Sequence, residues 1–184
     1  MELPRPSEEQ QEIVKKVYDG YNIKVDAVAG SGKTTTILHI ARTLSSKRIL
    51  LITYNKRLKE ETREKARQVG ADNLEVHSYH AFCVKYFNSN ASRDQGIVQT
   101  LFKNTPPRRP ICFDIIIIDE AQDMKPLYFN LTVHIIKHNV PGRLTFDSEY
   151  NHDIHDSPNH EYHDINEFSE CDDVLNEFSD CDEW

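Results

Sequence analysis

Two groups of residues in this 184-residue chain have the types and spacing that phosphate chemistry needs. The first is Ala27-Val28-Ala29-Gly30-Ser31-Gly32-Lys33-Thr34-Thr35, set between a short apolar run and a segment of helical character. Gly30 and Gly32 let the backbone curl so that successive amides, from Ala29 through Thr35, point inward at phosphate oxygens. The positive end of the following helix reinforces them. Lys33 would reach the β and γ phosphates, and Thr34 would place its hydroxyl on Mg²⁺. Ala27 stands where such loops usually begin with glycine; it is small enough for the end of a strand. The second group, Ile115-Ile116-Ile117-Ile118-Asp119-Glu120-Ala121-Gln122-Asp123, ends an apolar run on two acids. A carboxylate there emerges where parallel sheets place their ligands, so Asp119 reads as the metal-shell carboxylate and Glu120 as the general base for an attacking water. Together these residues describe an ATP and Mg²⁺ site, with Lys33 and Glu120 as its catalytic pair.

Such a site needs strands to carry the loops and helices to cover the strands. Ser7-Glu8-Glu9-Gln10 has capping-box spacing, and Ile13, Val14 and Val17 then share one helical face before Gly20. Ile23 to Val28 and Ile49 to Thr53 read as strands separated by a helix from Lys33 to about Ser45. Residues 56 to 69 suit an exposed helix, Leu74 to Val76 a third strand, and Ala81 to Phe87 another helix. Residues 88 to 111, polar and carrying Pro106, Pro107 and Pro110, read as a loop containing one short helix around Ile97 to Lys103. Phe113 to Ile118 reads as a central parallel strand covered on both faces, and Leu127, Leu131, Ile135 and Ile136 as the buried stripe of the next helix. The alternation of element types predicts an α/β fold with a parallel sheet.

Charge divides the chain. Residues 1–140 hold 21 Lys and Arg against 16 Asp and Glu, a net +5, whereas residues 141–184 hold 1 against 14, a net −13. The expected organisation is one domain over 1–140 and a disordered acidic tail over 141–184, too poor in apolar residues to offset its ordering entropy. The tail repeats itself: Asn166 to Asp173 returns as Asn176 to Glu183. Phe168 and Phe178 within that repeat are either anchors for a protein partner or products of a chance duplication. Six histidines from His134 to His163 have no closing Cys or carboxylate set, which argues against a metal site in the tail. The N-terminus lacks a secretory apolar core and the longest apolar run, Ile115 to Ile118, cannot cross a bilayer, so a soluble intracellular protein with no membrane partner is expected. Four scattered cysteines read as reduced thiols.

Gly30-Ser31-Gly32-Lys33-Thr34-Thr35 and Asp119-Glu120-Ala121-Gln122-Asp123 resemble the first two ATPase motifs of superfamily-one DNA helicases of the UvrD/Rep type. Three further stretches follow the same order. Pro6 to Val14 is similar to the family's glutamine motif, with Gln10 at the position that accepts from and donates to adenine. On its own, Gln10 reads more readily as a solvated first-turn residue. Leu51-Ile52-Thr53-Tyr54-Asn55-Lys56 and Ser78-Tyr79-His80-Ala81-Phe82 resemble segments that touch single-stranded DNA, and the Tyr-Asn-Lys spelling is nearest the F-box DNA helicase branch. The resemblance implies weak, non-specific DNA contact by Tyr54, Asn55, Lys56, Tyr79 and His80, the tyrosines stacking on bases and the cations meeting phosphates. Core packing of the two tyrosines and a solvated face for Lys56, Arg57 and Lys59 compete with that reading.

The resemblance covers residues 4 to 138 and implies a RecA-like P-loop fold, incomplete, without the helical insert usual between the first two motifs. The family's γ-phosphate-sensing motif and second motor domain have no counterpart in this sequence. Arginines from that second domain complete the ATP site, and losing such a residue costs about 10³ to 10⁵ in turnover. Nucleotide binding is therefore expected to outlast catalysis, and two functions stand open: the ATPase half of a helicase, or a nucleotide-dependent binding module whose acidic tail recruits partners. If the source is eukaryotic, the resemblance points to the nucleus.

Overall fold

The computed structural model describes residues 2–28, 30–54 and 56–142. The acidic segment, with its repeat, its histidines and its expected disorder, lies outside the described residues from 143 onward, as do Ala29 and Asn55. Helix α1, Glu8–Tyr18, starts on the expected capping box: Ser7 Oγ accepts from the Gln10 amide, and the Gln10 side chain accepts from Ser7 N–H. There follow α2 (Lys33–Thr43), β1 (Ile49–Thr53), α3 (Lys56–Gln68), β2 (Leu74–Ser78), α4 (Tyr79–Tyr86), α5 (Asp94–Phe102), β3 (Ile115–Ile118), a 3₁₀ turn (Ala121–Asp123) and α6 (Pro126–His138).

The strands form one parallel sheet in the order β2-β1-β3. Ile49 to Thr53 pair in step with Leu74 to Ser78, and Ile49 to Ile52 with Ile115 to Ile118. Strand alternation then sorts the side chains onto two faces. Ile49, Leu51, Leu74 and Val76 pack with α2 and the end of α3, and Ile115 and Ile117 lean on that layer with Ile13, Val14 and Val17 of α1. Leu50 and Ile52 pack on the other side with Phe82, Phe87, Ile97, Leu131 and Ile135 from α4, α5 and α6, joined by Ile116 and Ile118. The result is an α/β fold with helices on both faces of a parallel sheet.

Three expectations are corrected. Residues 23–28 form no strand. No strand among the described residues pairs with them, Lys24 and Asp26 form an ion pair at 3.2 Å, and Val28 is 79% exposed. A strand without ladder partners leaves its amides to water, and a central parallel strand would have to bury that lysine and aspartate. Second, among the described residues β3 is an edge strand of four half-buried isoleucines, while β1, wholly buried, takes the centre. Third, Ile136 of α6 is exposed; Tyr128, Thr132 and His134 fill the buried face beside Leu131 and Ile135. Smaller shifts have local causes. Ser78 caps α4 by accepting from Ala81 N–H, which starts that helix at Tyr79 and lets β2 run two residues past Val76.

No helix among the described residues is long and apolar enough to cross a membrane. Cys83 and Cys112 are buried free thiols.

Candidate nucleotide site

The phosphate loop leads into α2 through two glycines in the left-handed conformation, Gly30 at φ 81° and Gly32 at φ 90°. Gly32 is the N-cap of α2, and a Cβ there would stand 2.8 Å from Gln10 Nε2. The dihedral calls for glycine, and any Cβ there would also displace the Gln10 amide from Gly32 O. Ser31 N–H donates to Val28 O at 3.3 Å and closes the turn, although the sequence reading aims this amide at a phosphate. Lys33, Thr34 and Thr35 form the first turn of α2, where amides lack intrahelical acceptors and the helix presents its positive end.

Across from this turn, Asp119 N–H donates to Ile52 O at 2.9 Å and so continues the ladder by one residue. Glu120 then leaves the sheet with φ 53° and ψ 45°, a left-handed conformation that costs a non-glycine residue about 1–2 kcal/mol. That turn brings its Oε1 to 2.8 Å from Lys33 Nζ, each side chain about one-third exposed. Gln122 Nε2 donates to the other oxygen. The Lys33 bond, seconded by Gln122, holds Glu120 below the usual carboxylate range, and the same bond to Glu120 pushes Lys33 up. Asp119 moves the other way: burial raises it first and the neighbouring Glu120 charge second, against the pull of Lys33 and of the Glu120 amide on Oδ1. A positive partner arriving near Asp119 would relieve that penalty.

The donors on this side of the sheet are hard oxygens from Asp119 and Thr34, which suit Mg²⁺ sharing its shell with phosphates and water. Among the described residues, no three His, Cys, Asp or Glu side chains gather as an all-protein metal cage. His134 and His138 lie one turn apart on α6, but His134 Nε2 bonds the Thr105 carbonyl at 3.0 Å. Gln10 is already engaged at both ends of its amide, accepting from Ser7 N–H at 3.1 Å and donating to Gly32 O at 3.4 Å. It ties the cap of α1 to the phosphate loop.

The residues expected to touch DNA are divided by the fold. Tyr54 is 47% exposed at the end of β1 and stands edge-on to Tyr128, with ring centroids 5.7 Å apart. Tyr79 is 3% exposed and stacks on Tyr128 at 4.6 Å, so core packing takes the ring face that the sequence reading offers to a base. His80 is hydrogen-bonded, Nε2 to Asp94 at 2.8 Å, and the same carboxylate oxygen accepts from Tyr128 OH. Lys56 is exposed at the start of α3, and Arg57 pairs with Glu61 at 2.7 Å. Sequence reasoning missed Tyr128, which lies three and seven residues before Leu131 and Ile135 on the core stripe. Its hydroxyl there requires a partner such as Asp94.

The AAA domain family model matches residues 10–142, a span holding the phosphate loop, both acids and the whole sheet. No curated protein and no solved structure matches the chain. The family match covers well over half of the sequence, and within it a glycine turn opens α2 opposite two strand-end carboxylates. The chain therefore belongs to the AAA domain family and carries a P-loop nucleotide-binding module.

Proposed function

We propose that this module binds ATP with Mg²⁺ and hydrolyses it slowly as the first motor domain of a UvrD/Rep-like helicase, nearest the F-box branch, on single-stranded DNA. The observation that carries the reading is the meeting of Lys33 and Glu120 at 2.8 Å, with Asp119 fixed one residue away at the end of β3. In this reading the β and γ phosphates draw Lys33 off Glu120, which removes the bond that holds the carboxyl low and frees it to orient and deprotonate water. Thr34 and Asp119 are the residues that would hold the magnesium ion, whose contribution is to neutralise phosphate charge. To read the base, Gln10 would exchange its bonds to Ser7 N–H and Gly32 O for bonds to adenine, and Tyr54, Lys56 and His80 meet the DNA strand at the same end of the sheet.

Calorimetric titration of ADP and ATP into the wild-type protein and Lys33→Ala tests the binding half; equal affinity in the two proteins would remove it. Phosphate release with and without oligothymidylate tests the motor half. Stimulation by DNA supports a helicase ATPase, and unstimulated tight binding supports a nucleotide-dependent binding module instead.

A further inference from the structure

Thr53 closes an otherwise aliphatic strand. It is 1% exposed, and its hydroxyl has no hydrogen-bond partner among the described residues. A buried orphan hydroxyl costs about 1–3 kcal/mol and calls for an explanation. Its location supplies one. Ile52 is the register partner of Ile118, so Thr53 lies level with Asp119 on the neighbouring strand. Alternation gives both the same face: Ile49 and Leu51 on β1, and Ile115 and Ile117 on β3, pack toward α2, and two residues further on come Thr53 and Asp119. The orphan hydroxyl therefore stands beside the carboxylate on the side where α2 begins with Lys33 and Thr34. One Asp119 oxygen accepts the Glu120 amide, and the other has no hydrogen bond among the described residues.

We propose that Thr53 is a positioning residue for the magnesium-nucleotide site: its hydroxyl binds a water shared with Asp119 and so orients the carboxylate toward the cation. The inference rests on the magnesium reading above. Outer-shell hydrogen bonds of this kind fix a ligand's orientation, and their removal weakens metal binding by ~10–100-fold. Thr53→Val keeps the shape of the side chain and removes only the hydroxyl; Thr53→Ser keeps the hydroxyl and removes a methyl.

The test measures ADP affinity in EDTA and in excess Mg²⁺ for wild type, Thr53→Val, Thr53→Ser and Thr53→Ala, alongside thermal unfolding without nucleotide. Expected for Thr53→Val is an unfolding midpoint no lower than wild type, unchanged affinity in EDTA, and a magnesium-dependent gain reduced ~10–100-fold. Thr53→Ser retains most of the gain, and Thr53→Ala repeats the loss if the valine does not fold. A full magnesium gain in Thr53→Val, or in Thr53→Ala where that is the variant that folds, overturns the role of Thr53 and leaves the nucleotide site standing. A wild-type protein that binds ADP with no magnesium gain overturns the magnesium reading, and the role of Thr53 with it.

Discussion

Lys33 Nζ and Glu120 Oε1 lie 2.8 Å apart, so the cation proposed to serve phosphates and the carboxylate proposed to serve water neutralise each other across the mouth of the phosphate loop. Phosphate oxygens compete with Glu120 for the same ammonium. Glu120→Gln should therefore bind ADP at least as tightly as wild type while ATP turnover falls ~10²–10⁴-fold, the range for losing a general base. Lys33→Ala should lose binding and turnover together. Nucleotide titration and phosphate release on both variants check the split, and a Glu120→Gln protein with wild-type turnover would remove Glu120 from the chemistry.

Tyr54 and Tyr79 should separate in a DNA-binding experiment. Tyr54 is half-exposed, whereas Tyr79 is covered by Tyr128. Base stacking is worth about 1–3 kcal/mol per base, so Tyr54→Ala should weaken oligothymidylate binding about tenfold or more in fluorescence anisotropy. Tyr79→Phe, which keeps the buried ring, should bind as wild type does. The opposite ranking would place the strand on another surface.

Acid should loosen the edge of the sheet at Glu75. Its Oε1 accepts from His77 Nε2 at 2.6 Å, from Tyr86 OH at 2.8 Å and from the Lys85 ammonium. Burial alone would raise this carboxyl, but the three donors outweigh it and bring it down to about 2. A carboxyl depressed on folding contributes stability above its ordinary pKa near 4.5 and loses it as pH falls toward 2, here on the order of 2–3 kcal/mol. His77 adds to the same trend, because burial holds it below its ordinary value and keeps it neutral despite Glu75. Urea unfolding across that window should show wild-type stability falling more steeply than that of Glu75→Gln; parallel curves would contradict the assignment.

Gly96 is required by space. A Cβ there would stand 2.4 Å from Ala91 Cα and 2.5 Å from Asn90 O, backbone atoms that cannot rotate aside. Gly96→Ala should destabilise the fold by about 3 kcal/mol, the upper end for overpacking, and displace α5 with the Asp94 bonds to Tyr128 and His80. Thermal unfolding reads the loss, and an unchanged midpoint would refute it.

What the sequence discloses about this molecule depends on how local the cause is. The glycines at 30 and 32, the capping box at Ser7 and Gln10, and the acids after four isoleucines announce themselves because their roles are set by nearby backbone. A strand depends on partners elsewhere in the chain. The short apolar run from Ile23 to Val28 therefore reads as a strand without being one, and the apolar run at 115–118 reads as central although it lies at an edge among the described residues. Tyr79 looks like Tyr54 in composition and neighbours; only the arrival of Tyr128 from α6 tells them apart. Thr53 carries no motif signal as an orphan hydroxyl, since its meaning comes from its level with Asp119 across two strands.

Among the described residues, β3 is paired only with β1, and its far side presents free amides and carbonyls over half-covered isoleucines. Any chain that joined there in the parallel sense would settle about 4.8 Å away, and its carboxyl end would arrive next to Asp119. Among the described residues, that open flank is thus also a doorway to the proposed nucleotide site: whatever pairs with β3 can deliver its own side chains beside Asp119.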